Sequence, residues 1–273
     1  MDHAFYKFNG RLAMFQRSSA DKEHWEGRWS KNNVGHILDS YRSGRLDEFE
    51  GMFTRHLPKE LPVLEAGCGM GQWVMALSAR GYRVEGLDYA ERAIQRIREH
   101  APELKVRTGD IYKLDAPDET YGGYISIGLF EHNPAGPRAA LLETRRVLHS
   151  EGVALISVPY LNRRRSRLLE RGLSANGSAA DGLAFYQYYF SLAEFQRHIE
   201  EAGLTVVECY PYGLHTGLTR DSRFWQRLSK SPLFVWPLQY RFIRWCANAP
   251  GWIRFRAAHM LMFACRRADG VRC

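Results

Sequence analysis

The segment VLEAGCGMGQW, residues 63–73, carries three glycines at alternate positions directly after a short apolar run. Glycine permits positive φ angles and leaves no Cβ between the backbone and a ligand. A tight turn would need one glycine, but it does not explain the alternate spacing of Gly67, Gly69 and Gly71. A loop of this kind between a parallel strand and a helix lies at the carboxyl edge of the sheet, where open α/β folds bind ligands. The segment therefore predicts a ligand-binding loop.

Short apolar runs alternate with helical patterns along much of the chain. The candidate strands are 62–66, 82–87, 104–107, 123–128, 153–158, 204–209 and 258–267. Strands that are separated by helices favour right-handed βαβ units and a mostly parallel sheet. The sequence therefore predicts an α/β fold. The expected organisation is an N-terminal helical cap over 1–50, a core over 51–212 and 257–273, and an insertion over 213–256.

Composition limits the class of protein. The chain has 273 residues, of which 45% are hydrophobic and 25% charged, as in an ordinary globular protein. The start, MDHAFYKFNG, lacks the apolar stretch of a secretory signal, and no window approaches the ~18 apolar residues of a membrane span. The five cysteines form no C-x-x-C pair, so free thiols in a reducing compartment are expected. We therefore expect a cytoplasmic protein.

Positive charge is concentrated near the C-terminus. Residues 220–273 contain eleven Lys or Arg but only two Asp, whereas the rest of the chain is almost neutral. The insertion 213–256 also contains four tryptophans, Trp225, Trp236, Trp245 and Trp252. Aromatic and basic residues together suit a membrane surface, an acidic substrate or nucleic acid. A helical cap with a solvated arginine face is the plainer alternative, and the sequence leaves these four open.

The pattern E-x-G-x-G-x-G of residues 65–71 resembles motif I of the class I S-adenosylmethionine-dependent methyltransferases. A dinucleotide fingerprint, G-x-G-x-x-G, would need glycine where Gln72 stands. Over about 60–210 the similarity continues in the family's order, through GLDYA (86–90), TGDIY (108–112), ISIGLFEHN (125–133) and RRVLHSEGVALISVP (145–159). The resemblance implies a Rossmann-like, mostly parallel seven-stranded sheet with helices on both faces and an antiparallel last strand. It also implies methyl transfer from S-adenosylmethionine.

The resemblance assigns roles to individual residues. Asp88 corresponds to the acid that binds the ribose hydroxyls, and Asp110 to the residue that meets the adenine amino group. In the thiopurine-type enzymes a similar W-x-x-x-W pattern places an aromatic ring over the cofactor, which suggests this role for Trp29; core packing is the alternative. The implied cofactor-binding residues are Trp29, Glu65, Ala66, Gly67, Cys68, Gly69, Gly71, Asp88, Tyr89, Gly109, Asp110, Ile111, Gly128 and Leu129.

Glu131 and His132 follow the fourth core strand and are the candidate catalytic residues. Histidine titrates near neutral pH, which suits a general base for the acceptor's proton. Ordering or capping of the loop is the alternative role for both residues. Some quinone-biosynthetic relatives hold a metal here with an additional upstream acid, but Gly128 stands three positions before Glu131, so no metal is predicted.

The sequence leaves the acceptor open. A hydroxyl, or an amine, of a small molecule, lipid or saccharide is the leading expectation. The alternatives are a quinone or lipid methyltransferase at a membrane surface and a catalytically inactive, cofactor-binding regulator or scaffold. Nucleic acid is disfavoured as the acceptor, because GLFEHNP (128–134) stands where base-amino methyltransferases carry an N-P-P-[YF] motif.

Overall fold

The computed structural model describes residues 3–17, 19–30, 32–170, 182–221, 224–225, 227 and 236–268. The described strands are β1 (His3–Phe8), β2 (Arg11–Gln16), β3 (Val63–Ala66), β4 (Val84–Asp88), β5 (Val106–Thr108), β6 (Tyr121–Ile127), β7 (Leu148–Pro159), β8 (Ala184–Tyr189), β9 (Leu204–Tyr212) and β10 (Met260–Arg267). The described α-helices are α1 (Lys22–Ser30), α2 (Val34–Tyr41), α3 (Glu50–His56), α4 (Gln72–Ala79), α5 (Glu91–His100), α6 (Arg138–Val147), α7 (Arg163–Glu170), α8 (Leu192–Glu201), α9 (Leu214–Asp221), α10 (Trp236–Ala247) and α11 (Gly251–Ala257).

The main sheet confirms the predicted fold class. Its strand order is β5-β4-β3-β6-β7-β10-β9. β10 runs antiparallel to both β7 and β9, while the pairs from β5 to β7 are parallel. The chain builds outward from β3 to β5 and then returns to β6 on the other side of β3. This reversal opens a crevice at the carboxyl ends of β3 and β6, where folds of this kind bind ligands.

Alternate residues of the central strands bury on opposite faces of the sheet. Val63 belongs to the core beneath α2, α3 and α4, whereas Leu64 belongs to the core beneath α6 and α8. In the same way, Leu155 faces the first core and Ile156 the second. Because both faces are covered, these strands are mostly apolar rather than alternately polar. This is why the strands could be predicted from short apolar runs.

The N-terminal segment differs from the prediction. The sequence predicted that residues 1–50 are helical, but β1 and β2 form an antiparallel hairpin. β8 pairs with β2 and extends the hairpin to a three-stranded sheet. The helices α1 and α2 follow the hairpin in the chain. Asn9 and Gly10 turn the hairpin with φ angles of 48° and 79°. Asn-Gly between aromatic-rich runs is a strong hairpin signal, because both turn positions need positive φ. The dipeptide therefore carried the information that the helical prediction missed.

The chain between β9 and β10, which includes the insertion, contains α9, α10 and α11. α9, α10 and α11 pack around a small core of their own, centred on Leu214, Cys246 and Ala249. The side chain of Trp236 lies outside the described residues. Among the described helices, none has the length and apolarity that crossing a membrane requires.

A buried arginine fastens the insertion to the core. The Arg165 side chain is 3% exposed, and its Nε and Nη2 donate to Asp221 Oδ1 at 3.2 and 3.1 Å. Nη1 donates to the carbonyl oxygens of Tyr160 and His259 at 2.7 and 3.0 Å. The guanidinium also lies 4.6 Å from the ring centre of Tyr189. Arg165 on α7 thus joins α9, the start of β10 and the three-stranded sheet.

We expect Asp221→Ala to lower the free energy of unfolding by about 3 kcal/mol, because it leaves the Arg165 charge buried without its counter-ion. Asp118→Ala is the matched control, since Asp118 also pairs with an arginine but its side chain is 74% exposed. An exposed pair contributes no more than about 1 kcal/mol. Urea denaturation of both variants checks the difference, and equal losses would contradict the anchoring role of Arg165.

Candidate functional site

The glycine loop between β3 and α4 is folded tightly against its neighbours. Gly67, Gly69 and Gly71 have φ angles of 78°, 52° and 75°. A Cβ atom on Gly67 would lie 2.7 Å from the Leu129 side chain, and one on Gly69 would lie 3.0 Å from the Trp29 ring. Such distances leave no room for a side chain, and positive φ would strain one further. The alternate glycines are therefore required by backbone conformation and close packing together.

Asp88, the last residue of β4, holds this loop in place. Its Oδ2 accepts a hydrogen bond from the Gly69 N–H at 2.8 Å, and its Oδ1 accepts one from the Ala90 N–H at 2.9 Å. The side chain is buried, and this burial raises the pKa of Asp88, while the two N–H donors act in the opposite direction. Asp88 thus joins β4 to the glycine loop and remains at the wall of the crevice.

Two cavities meet above the loop. One of about 180 Å³ lies toward β5, and one of about 220 Å³ lies toward β6 and α1. Both are lined by Trp25, Gly67, Asp88, Tyr89 and Leu129, so they form the two halves of one cleft. The predicted site residues that line at least one half are Trp29, Glu65, Gly67, Cys68, Gly69, Asp88, Tyr89, Gly109, Asp110, Ile111, Gly128, Leu129 and His132.

Three predicted residues, Ala66, Gly71 and Glu131, do not line either half of the cleft, and Glu131 is only 2% exposed. Ala66 is fully buried in the core of the sheet, and Gly71 faces Ile97 and Leu38. Sequence reasoning also missed several lining residues, among them the charged Asp21 and Arg28. Arg28 stood inside the W-x-x-x-W segment, and its position beside the tryptophans was the available signal.

The α1 helix covers the cleft with an aromatic pair. Trp25 and Trp29 stack with ring centres 5.5 Å apart, which confirms that they share a helical face. The Arg28 guanidinium lies 5.4 and 5.8 Å from the two ring centres. Both tryptophans line the β6 half of the cleft. The same face of α1 therefore holds the stacked pair and covers the cavity.

Glu65 is a buried acid at the floor of the same half. It is 3% exposed, and its Oε2 has no hydrogen-bond partner among the described residues. Burial raises the pKa of Glu65 well above its usual range. A carboxylate oxygen without a donor is costly in the interior, so the group suits a ligand that brings a donor. An ammonium group would satisfy it directly.

Glu131 and His132 lie together in a 3₁₀ turn, Phe130–His132, at the carboxyl end of β6. The His132 Nδ1 lies 2.8 Å from the carbonyl oxygen of Tyr186, so Nδ1 carries the proton that is donated. The His132 Nε2 lies 3.8 Å from Glu131 Oε1, and Glu131 Oε2 has no partner among the described residues. The pair therefore leaves one nitrogen lone pair and one carboxyl oxygen available.

Burial shifts the two groups in opposite directions. It lowers the pKa of His132 to about 4 and raises the pKa of Glu131 to about 8. The expectation that His132 titrates near neutral pH is therefore wrong, because the desolvated ring resists protonation. Glu131 has the pKa close to neutrality instead. The sequence predicted His132 as the general base, but burial lowers its pKa and raises the pKa of Glu131 toward neutral pH.

Residues 63–152 match a family model described as "Methyltransferase domain". A probable S-adenosylmethionine-dependent methyltransferase from Mycolicibacterium smegmatis is 35% identical over 98 residues, which are 36% of this chain and 37% of that protein. Residues 63–152 are a class I S-adenosylmethionine-dependent methyltransferase domain. The domain is that of an enzyme whose cofactor is S-adenosylmethionine.

Other known proteins match a longer part of the chain than residues 63–152. The ubiquinone biosynthesis O-methyltransferase of Rickettsia akari is 28% identical over 154 residues, which are 54% of this chain and 58% of that protein. The match to the M. smegmatis protein spans little more than a third of its length, 37%. The methyltransferase solved in complex with the Haloferax volcanii Trm112 activator has a TM-score of 0.57 at 18% identity, covering 92% of this chain and 97% of that one. This last likeness concerns the fold alone.

A third cavity, of about 240 Å³, lies where the insertion meets the end of β9 and residues 47–48. Its polar lining includes Glu48, which accepts from the Gly213 N–H at 3.1 Å, and Arg254, whose buried Nε has no partner among the described residues. Tyr212 also lines it and donates to Ser157 Oγ at 2.9 Å.

The third cavity lies close to the cofactor cleft. Ser157 Oγ accepts from the Gly128 N–H at 3.1 Å, and Gly128 lines the cleft. One chain of hydrogen bonds, Tyr212 to Ser157 to Gly128, therefore connects the two spaces. The third cavity also contains His215, a residue of the insertion. Among the described residues, no three His, Cys, Asp or Glu side chains are grouped as a metal site requires.

We expect the stability of the protein to fall between pH 6.5 and pH 8 because of Glu131. With its folded pKa near 8, the folded state keeps a proton that the unfolded state has already lost. The stabilisation therefore disappears as pH rises to that value. In this window His132 is neutral in the folded state, because its folded pKa is about 4. The stability that this lowered pKa contributes is lost as pH falls toward 4, outside the window. The wild type should lose about 1–2 kcal/mol more than Glu131→Gln over this range.

Urea denaturation at the two pH values measures this loss. Glu151→Gln is the control, because Glu151 is exposed and should leave the wild-type pH dependence unchanged. If Glu131→Gln keeps the full wild-type pH dependence, Glu131 is not the buried acid that titrates near pH 8.

Proposed function

We propose that the protein transfers the methyl group of S-adenosylmethionine to a hydroxyl group of a small-molecule, lipid or saccharide acceptor. The observation that carries the proposal is the position of Glu131 and His132. His132 lines the β5 half of the cleft, Glu131 precedes it in the same turn, and burial raises the pKa of Glu131 to about 8. A hydroxyl acceptor must lose a proton, so a base in this place suits O-methylation.

The residues present fit the cofactor. Asp88 keeps carboxylate lone pairs for the two ribose hydroxyls, since each oxygen accepts one bond from the backbone. Asp110 is exposed at the β5 half, where it would accept from the adenine amino group. Glu65 lacks a donor, which the amino group of the methionine portion would supply. Arg28, beside Trp29 in the same half, would pair with the methionine carboxylate.

The chain's own residues would then position the acceptor and remove its proton. The cofactor, when bound, supplies an activated methyl group for an in-line displacement with a neutral leaving group. Much of the rate would come from holding the acceptor oxygen in line. The ionised Glu131 would take the hydroxyl proton, because a base with a pKa near the working pH is effective. His132, fixed through Nδ1 by the Tyr186 carbonyl, would orient the hydroxyl with its neutral Nε2.

A phenolic or quinol acceptor is the second candidate, and the similarity to the Rickettsia akari ubiquinone biosynthesis O-methyltransferase supports it. The third cavity suits such an acceptor, with Tyr210 and Ile243 for an aromatic ring and Arg254 for an anionic or carbonyl group. An inactive regulator is a weaker candidate, because Asp88 and the glycine loop are both intact. An amine acceptor that starts protonated would likewise have to lose a proton before its nitrogen could accept the methyl group.

We expect Asp88→Asn to weaken binding of S-adenosylmethionine by about 2–4 kcal/mol, because charge-assisted bonds to the ribose are lost. This variant keeps one oxygen for the backbone N–H groups that hold the loop. Calorimetry with the cofactor and its demethylated product measures the change, with Asp118→Asn as the exposed control. Equal affinities for wild type and Asp88→Asn would refute the ribose assignment.

The acceptor can be found with cofactor carrying a labelled methyl group. The protein is incubated separately with soluble, lipid and glycan fractions of cells, and each fraction is scored for label. Transfer to one fraction supports the enzyme and names the acceptor class. Cofactor binding without transfer to any fraction would favour the inactive regulator.

With that acceptor, we expect kcat to rise with pH through about 8 as Glu131 ionises, since the ionised carboxylate is the active form. Glu131→Gln should lower kcat about 100-fold and remove this rise while cofactor affinity stays unchanged. His132→Ala should lower kcat but keep the rise. Persistence of the rise in Glu131→Gln would show that another group is the base.

A further inference from the structure

Exposed hydrophobic side chains are concentrated on the insertion. Among the described residues, six of the nine large hydrophobic side chains with substantial exposure lie between Phe224 and Phe255. Phe224 and Trp252 are 67% and 63% exposed, and Leu238 and Trp245 nearly half. Scattered exposed apolar residues are normal, but a concentration of this kind marks an interaction surface.

The exposed residues follow the faces of two helices. On α10, Leu238, Arg241 and Trp245 are spaced i, i+3 and i+7, and all three are exposed. On α11, Trp252, Phe255 and Arg256 are spaced i, i+3 and i+4, and they are exposed as well. The small core around Cys246 and Ala249 forms on the other side of these helices. We call these six residues the docking surface; they are Leu238, Arg241, Trp245, Trp252, Phe255 and Arg256.

The charge of this region has one sign. No Asp or Glu occurs between Asp221 and Asp269 in the sequence. Asp221 itself is taken up by the buried Arg165. The Arg256 guanidinium lies 5.4 Å from the Trp252 ring centre, so cation and aromatic ring stand side by side at the surface. The partner of this surface should therefore be apolar and negatively charged at once.

We propose that the docking surface binds an anionic lipid bilayer. Tryptophan rings anchor at the level of lipid head groups, while arginines pair with anionic ones. Nucleic acid would use stacked aromatic rings and basic groups, but it offers nothing to an exposed aliphatic side chain such as Leu238. A bilayer accommodates both kinds of residue. The third cavity, lined by Ile243 and Arg254, lies against the same two helices.

The test is sedimentation of the full chain with two kinds of vesicle, pure phosphatidylcholine and phosphatidylcholine mixed with phosphatidylglycerol. We expect binding to the anionic vesicles and a strong decrease at about 1 M salt, where the Debye length is about 3 Å. Arg241→Glu with Arg256→Glu should lower the partition coefficient more than about tenfold, since each arginine near an anionic surface contributes several-fold. Trp245→Ala with Trp252→Ala should lower it while leaving the charge unchanged.

Matched controls change the same residue types elsewhere. Arg138→Glu with Arg197→Glu reverses two exposed arginines on α6 and α8, and Leu142→Ala with Val207→Ala removes two exposed apolar side chains. Both controls should bind vesicles within about twofold of the wild type, because they lie outside the docking surface. Cofactor calorimetry verifies that every variant is folded, and Arg241→Gln with Arg256→Gln replaces the charge-reversal pair if that variant is not folded.

Three results would overturn the proposal. They are absence of binding to anionic vesicles, wild-type binding by both docking-surface variants, and tighter binding to a mixed-sequence RNA oligonucleotide than to the anionic vesicles. The measurement needs no acceptor and no turnover. Its failure would therefore leave the proposed methyl transfer untouched, and failure of methyl transfer would leave bilayer binding intact.

Discussion

The site depends on the two hydrogen bonds that Asp88 accepts from the backbone. The bond from Gly69 joins the end of β4 to the glycine loop after β3 and holds Gly69 in a conformation that a residue with a side chain would resist, while the bond from Ala90 fixes the turn after β4. The same carboxylate forms the wall shared by both halves of the cleft. Because the loop is shaped by an acid that also faces the ligand, folding and cofactor recognition use one group. A substitution there affects both.

Buried carboxyl groups explain much of the chemistry around this point. Glu65 and Glu131 each leave one oxygen without a partner among the described residues, and burial raises the pKa of both. Such groups destabilise a fold unless something compensates them. In the proposed function a ligand donor would compensate Glu65, and proton transfer would use Glu131. The two buried carboxyl groups that destabilise the fold are therefore the groups that the proposed function uses, one to bind the cofactor and one to accept a proton.

The elements outside the core sheet have a different physical origin. The hairpin of β1 and β2 is stabilised by local turn geometry at Asn9 and Gly10 and by pairing with β8. The insertion has a small core of its own and is fastened by Arg165 and Asp221. Neither element continues the parallel sheet, so each could differ in surface character without disturbing it. This separation is compatible with a cofactor site in the core and acceptor selection at the periphery.

The sequence by itself determined the sheet, the glycine loop and the acids at the strand ends, because apolar periodicity and glycine spacing are local signals. Asp88, Asp110 and Gly128 could be placed for the same reason, since each directly follows or ends a strand. Only the tertiary structure decided that His132 is too buried to titrate near neutral pH and that Glu131 does so instead. Desolvation depends on what packs around a group, here β8 and α1, which are far away in sequence. The pairing of Arg165 with Asp221 and the exposed faces of α10 and α11 likewise follow from how distant segments meet, and no local pattern contains that information.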